Sequence, residues 1–240
     1  MSALVVLDKQ ADCWVVTLNR PDKRNALNAE LVEDLIEVVE QAQAEKPSLL
    51  VLRGEGKNFS AGFDFSEWQD ASEGDLLWRF VRIEQLLQML QALPILTMAL
   101  AHGKNFGAGV DLMAVCKYRV AAEDATFRMP GLKFGLVLGT RRLARLVGVQ
   151  TARQIQQVAK TLNASEAHTT GLVSVLAEPQ TWPQVIEQQG DIAASLTPSA
   201  RASLYRVLED NTDAQDMADL VRSVTEPGLK DRIAKYLAAS

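Results

Sequence analysis

The chain has 240 residues, 48% of them hydrophobic, enough for one substantial core with a small helical appendage and too few for two unrelated enzymes in tandem. Its 25 Lys and Arg against 30 Asp and Glu give a formal charge of −5, so no overall field draws it to nucleic acid or to anionic lipid, and neither partner is expected. No apolar run approaches the roughly 20 residues that span a bilayer, and the opening MSALVVLDKQADCWVV carries acids where an export signal carries basic residues. A soluble, unprocessed protein is the expectation.

Cys13 and Cys116 are the only cysteines, and His102 and His168 the only histidines. None has metal-ligand or redox-motif spacing, so no disulfide framework and no metal site is expected, and a reducing cytoplasm fits best.

In chain order, Leu4–Leu7 and Cys13–Leu18 read as strands around a polar turn at Asp8–Asp12. Asn28 reads as the N-cap of a helix whose apolar face is Leu31, Leu35 and Val39 with Val32 and Ile36, and Pro47 stops it. Leu49–Leu52 is an apolar run without alternation, as expected of a strand covered on both sides. A helix over Asp75–Leu93, a stop at Pro94 and a strand over Ile95–Leu100 repeat the cycle, which makes the fold class α/β.

The two cycles contain an internal repeat. GKNFSAGFD, Gly56 to Asp64, recurs 47 residues later as GKNFGAGVD, Gly103 to Asp111, with seven of nine positions identical. Each copy is expected to follow a strand and precede a helix, leaving free N–H groups at a helix start. Two such turns on neighbouring strands would place two donors on one side of a cleft.

Beyond residue 112 a strand is expected at Tyr118–Ala121. Helices follow over Gly139–Val147, Thr151–Ala159 and Ser165–Thr170, the last closed by Gly171, and then a strand over Leu172–Leu176. Four amphipathic helical segments run from about residue 182 to the C-terminus, including Ser199–Leu208 and Leu229–Leu237.

At this point the chain resembles the crotonase (enoyl-CoA hydratase/isomerase) superfamily nearly end to end. The resemblance is carried by Val15–Asn28 (VVTLNRPDKRNALN), Phe59–Glu67 (FSAGFDFSE), Leu100–Leu112 (LAHGKNFGAGVDL) and Ala164–Leu176 (ASEAHTTGLVSVL), in the family's order. It implies a spiral of ββα units forming two roughly perpendicular sheets over about residues 1–190. Residues 191–240 would then be helices that build a trimer, often paired into a hexamer.

The resemblance also implies an acyl-CoA thioester as ligand, with coenzyme A as part of the substrate and no separate cofactor. Its carbonyl oxygen would be held by the backbone N–H groups of Phe63 and Ala108. Fixed dipoles of this kind in a dry site stabilise an oxyanion as it forms. Coenzyme A contacts are implied for Lys23, Arg24 and Ala26 in the first loop and for Ala61, Gly62 and Asp64 in the second; Lys and Arg there supply charge-assisted contacts to phosphate.

The chain departs from the family in its acids. A typical hydratase uses two glutamates; the first position is Asp111 here and the second is Gly131, and the loop Gly135–Thr140 is about three residues short. Asp111 is the candidate acid/base, since a carboxyl in a closed apolar cleft has a raised pKa; the competing reading is a first-turn acid facing the helix dipole. One-acid, isomerase-like chemistry is therefore expected over hydration. The alternatives are a decarboxylase, a thioester hydrolase, or a non-catalytic binder of an acyl thioester or a protein.

Asp64 and Glu67 have the spacing of a helix cap. His102 reads as a core histidine at a strand end and His168 as a solvated one, while Arg128 and Arg141 fall near the short loop and the missing glutamate, where either one binding a substrate carboxylate would favour the decarboxylase alternative or a polar acyl group. Gly54–Asn58 lacks the spacing and the Ser/Thr of a P-loop, Gly107–Leu112 fails the dinucleotide fingerprint, and Ser60 is not in a nucleophile elbow.

Overall fold

The computed structural model describes residues 4–10 and 12–239. Strands β1 (Val5–Gln10) and β2 (Cys13–Leu18) pair antiparallel with Gln10 opposite Cys13. The polar residues Asp8, Lys9 and Gln10 thus extend the strand instead of turning it. Lys9 makes that tolerable: its Nζ donates to Glu45 and lies 4.0 Å from the centre of the Trp14 ring, so the ammonium meets a carboxylate and an aromatic face at once.

Two strand–helix cycles follow, as expected: α1 (Ala29–Glu45), β3 (Leu49–Gly54), α2 (Glu73–Ala92) and β4 (Leu96–Ala101). Asn28 caps α1 by accepting the Leu31 N–H. Helix α2 starts two residues ahead of its expected origin at Asp75, because Ser72 and Asp75 form a reciprocal capping box.

The remaining elements are β5 (Lys104–Phe106), α3 (Ala108–Ala114), β6 (Tyr118–Ala121), β7 (Thr126–Arg128), α4 (Thr140–Val147), α5 (Val149–Val158), β8 (Thr161–Asn163), α6 (Ala164–Thr169) and β9 (Val175–Leu176). Four helices close the chain: α7 (Trp182–Ala194), α8 (Pro198–Leu208), α9 (Asp213–Val224) and α10 (Leu229–Ala238). The strand expected over Leu172–Leu176 forms only at its last two residues, since Leu172 and Val173 turn inward into the core.

The large sheet has the order β1-β2-β3-β4-β6-β9, with β2 through β9 parallel, and a small sheet has the order β5-β7-β8. Alternate residues of the central strands enter two separate cores. Leu50, Leu52, Ala99 and Ala101 face the main core, whereas Leu49, Val51, Leu96, Met98 and Leu100 face a second one closed by Ala193, Trp182 and Tyr205. That double coverage is why Leu49–Leu52 lacks alternation.

Helices α7 and α8 therefore cover the second face of the sheet. Helix α9 packs on α2, and α10 packs on a 3-10 turn at Gly131–Phe134. Among the described residues no helix is long and apolar enough to cross a membrane.

Candidate active site

The loop after β2 is shaped by Arg24 and Asn25, both in the left-handed region at φ 54° and 52°. Asn25 is fully buried and makes that conformation worthwhile: its amide donates to Glu55 O (2.9 Å) and Asn58 O (2.8 Å) and accepts the Arg20 N–H (2.8 Å). The loop is thereby stitched to the first copy of the repeat, with Ala61 N–H donating to Arg24 O and Leu27 N–H to Gly62 O.

Asp64 N–H in turn donates to Leu27 O. Successive peptide groups of an extended segment face opposite ways. Since Gly62 O and Asp64 N both face Leu27, the Phe63 N–H faces away from it. No described residue accepts that N–H.

The second copy lies directly against the first. Ser60 pairs with Asn105, and Phe106 N–H donates to Ser60 O. Gly107 N–H is used by Arg128 O, while Ala108, the first residue of α3, has an N–H with no acceptor among the described residues, as helix starts do. Gly62 sits at φ 81°, and a Cβ there would overlap Phe106 O and lie 3.1 Å from Ala108 N. The contact between the two turns thus depends on a missing side chain.

The first copy does not lead into a helix, contrary to expectation; turns occupy residues 66–70. The cap reading of Asp64 and Glu67 fails for the same local reason. Asp64 Oδ1 accepts Ser66 N–H (2.8 Å) and Ser66 Oγ–H (2.6 Å), closing a tighter turn, and Oδ2 pairs with Arg20 at 2.5 Å. Burial pushes the Asp64 carboxyl up, but Ser66 and Arg20 together outweigh it and hold the group below the usual range.

Both turns open onto a cavity of about 660 Å³. Phe63 and Ala108 line it; so do Lys23 and Arg24, exposed at its rim, with Ala26, Ala61 and Asp64. Gly62 is not among the lining residues, being turned against Phe106 O. Phe65, Phe80, Phe134, Leu136 and Leu138 make much of the wall apolar, and α10 closes it with Tyr236 and Leu237. The Tyr236 ring lies 5.2 Å from Phe134 and 6.4 Å from Phe65.

Asp111 lines the same cavity from α3 and is 2% exposed. Its carboxylate accepts no side-chain hydrogen bond among the described residues and rests against Gly139, the left-handed N-cap of α4 at φ 63°; a Cβ there would collide with Oδ1 and lie 2.6 Å from Cγ. Burial raises its pKa well above 3.8; the Arg142 guanidinium opposes this and Glu84 adds to it. Behind Asp111, Arg142 and Glu84 form a two-pronged ion pair at 2.9 and 2.5 Å, with 4% and 1% exposure, and Arg142 Nε donates to Gln91 at 2.9 Å.

Gly131 lines the cavity, so the position that carries no second acid belongs to the same chamber as Asp111. Arg128 lines it too and donates from Nε to Ala159 O at 3.2 Å. Arg141 does not; it is bound to Asp216 and Asp219 on α9. His102 hydrogen-bonds Gly56 O and lies against Trp182, away from the cavity, and His168 is exposed with Nδ1 near Val173 O.

Thr140, Gln156, Tyr236 and Leu237 line the cavity without having been singled out from the sequence. Tyr236 follows Leu229 and Ile233 at helical spacing, which reads as an ordinary core stripe. Among the described residues no group of three His, Cys, Asp or Glu could hold a metal ion.

The profile of the enoyl-CoA hydratase/isomerase family matches residues 8–225. A probable enoyl-CoA hydratase of Mycobacterium bovis is 36% identical over 202 residues, covering 82% of this chain and 78% of its own. An enoyl-CoA isomerase/hydratase of Mycosarcoma maydis is 30% identical over 221 residues, covering 85% and 80%. The crystal structure of a putative enoyl-CoA hydratase/isomerase from Bordetella parapertussis superposes with a TM-score of 0.97 at 52% identity, covering 99% of each chain. With the paired turns, their shared cavity and a match that spans both sheets, the chain belongs to the enoyl-CoA hydratase/isomerase family and has the crotonase fold.

Proposed function

We propose that the cavity binds an acyl-CoA thioester with its carbonyl oxygen between the N–H groups of Phe63 and Ala108, and that Asp111 moves the proton. The observation that carries this reading is the pair of adjoining turns, each with one unsatisfied N–H at the cavity wall. As the α-carbon loses a proton, negative charge grows on the thioester oxygen. Two preorganised donors stabilise it there more than in the ground state, an effect of about 10²–10³ per donor in rate.

Asp111, buried and with its proton affinity raised, is suited to exchange a proton with the α- or γ-carbon. Hydration needs a second group to hold and activate water. With glycine at position 131, a double-bond shift handled by one carboxyl is the favoured reaction. Lys23 and Arg24 at the rim would meet the phosphates of coenzyme A, and no further cofactor is required.

The working form in this reading is a homotrimer or a pair of trimers in a reducing cytoplasm. The exposed Ile192, Leu196, Leu204, Val207 and Leu208 supply apolar surface for assembly, which light scattering would measure. Incubation with 2-enoyl- and 3-enoyl-CoA esters tests the chemistry. Interconversion that is abolished in Asp111→Ala supports it; binding of both esters with turnover of neither would make the protein a binder, and turnover unchanged in Asp111→Ala would remove the role given to Asp111.

A further inference from the structure

The first of the two donors has a soft hinge on one side. Phe63 N–H belongs to the peptide that follows Gly62, and at φ 81° a glycine gives its flanking peptides wide freedom to rotate. One hydrogen bond, from Leu27 N–H to Gly62 O, holds that peptide directly. The rest of the hold must come from the far side, through Phe63 and Asp64.

Helix α2 supplies it. The Phe80 ring stacks on the Phe63 ring with centroids 4.3 Å apart and planes at 25°, and the Arg79 guanidinium lies over the same ring, 4.3 Å from its centre. Arg79 Nη2 also donates to Asp64 O at 2.8 Å, so one side chain grips both the ring and the backbone of the donor turn. Phe63 and Phe80 line the cavity; Arg79 does not, and lies instead against a small cleft between α1 and α2, beside Trp78 and Arg82. It therefore reaches the site only through Phe63 and Asp64. A residue that merely covered the Phe63 ring would be apolar, whereas a half-buried guanidinium belongs where an aromatic face and a carbonyl both compensate its charge.

We propose that Arg79 is a positioning residue for the first donor: by bonding Asp64 O and covering the Phe63 ring, it keeps the Phe63 N–H directed at the oxygen that Ala108 N–H also holds. The inference rests on reading those two N–H groups as the holders of a thioester oxygen. Phe80 packs the ring from the cavity wall, and the guanidinium ties that ring to the backbone one residue on. Preorganisation of this kind acts on the rate of the chemical step and not on capture of coenzyme A, which is bound elsewhere in the cavity.

Two measurements on the intact protein test the role: steady-state turnover of a 3-enoyl-CoA ester, and infrared difference spectra of bound butyryl-CoA, isotope-labelled at the thioester carbonyl. Butyryl-CoA has no double bond to shift, so its carbonyl band reports the two donors without chemistry, and in the parent it should move to lower frequency on binding. Arg79→Met keeps an apolar stem over the ring but no cation and no donor. It should lower kcat about tenfold, short of the roughly 10²–10³ for a whole donor, with KM within about twofold, and should shrink the band shift. Arg79→Lys, which retains a cation and a donor, should recover most of both. Arg82→Met, on the same helix but paired with Glu33, should change neither, and melting curves confirm that all three variants fold. An unchanged kcat and band in Arg79→Met, an equal loss in Arg79→Lys, or the same loss in Arg82→Met would overturn the positioning role alone. A parent that fails to bind butyryl-CoA, or binds it with no band shift, would overturn the reading of the paired donors and the role of Arg79 with it.

Discussion

Gly62→Ala is the sharpest perturbation of the paired turns. At φ 81° an alanine costs about 1–2 kcal/mol of backbone strain, and its Cβ would overlap Phe106 O while pressing on Ala108 N at 3.1 Å. Restoring ordinary contact requires the turns to separate by roughly 1 Å, a misplacement that can cost about 10²-fold in rate. Gly148→Ala separates strain from positioning, because Gly148 has φ 79° and nothing within 4 Å of a built Cβ. Both variants should lose a few degrees of melting temperature, about 2–4 °C per kcal/mol for a chain of this size. Only Gly62→Ala should lose kcat, by about two orders of magnitude in steady-state turnover of an enoyl-CoA ester. A folded Gly62→Ala enzyme with kcat within threefold of the parent would refute the claim that these two N–H groups act together.

The raised proton affinity of Asp111 fixes the sign of a stability profile. The folded state holds this proton more tightly than the unfolded chain, so its contribution is complete below the usual carboxyl range near 3.8 and is lost as the pH rises through the raised folded value. Urea denaturation across that window should therefore give a flatter pH profile for Asp111→Asn, with greater stability than the parent at its upper end; parallel curves would contradict this. Arg142→Met strands the Glu84 carboxylate in the core and should cost about 3–5 kcal/mol by denaturant titration, with Arg142→Met/Glu84→Leu recovering most of it. Gly131→Glu restores a second carboxyl to the chamber of Asp111 and should raise hydration of crotonyl-CoA above the parent's level, followed as loss of enoyl-thioester absorbance.

What the sequence makes legible follows the range of the interactions involved. The helix start at Asn28 and the doubly covered run Leu49–Leu52 are local patterns, and they form close to where they are expected. The repeated turn is also local, which is why the contact between its copies can be anticipated from one string of letters. Its first copy misleads because Ser66 takes the Asp64 carboxylate at two residues' distance and closes a turn where a helix cap needs three.

The small sheet is hidden for another reason. Its strands Lys104–Phe106, Thr126–Arg128 and Thr161–Asn163 have three residues each, too short for a period to appear. Gln156 and Tyr236 reach the cavity only through the packing of α5 and α10, a relation between segments far apart that no helical spacing contains.

The closing of the cavity by Tyr236 and Leu237 has a kinetic consequence. Asp22 lines it as well, so the chamber is bounded by groups separated by nearly the whole polypeptide. Such a vessel stays open until the final helix docks, and brief fraying of that helix would admit bulk water without disturbing either sheet. Ligand capture and solvent leakage thus become sensitive to the grip of a single ten-residue element, anchored by Leu229 and Ile233 and by the hydrogen bonds of Arg232 to Phe134, Ser223, Glu226 and Pro227.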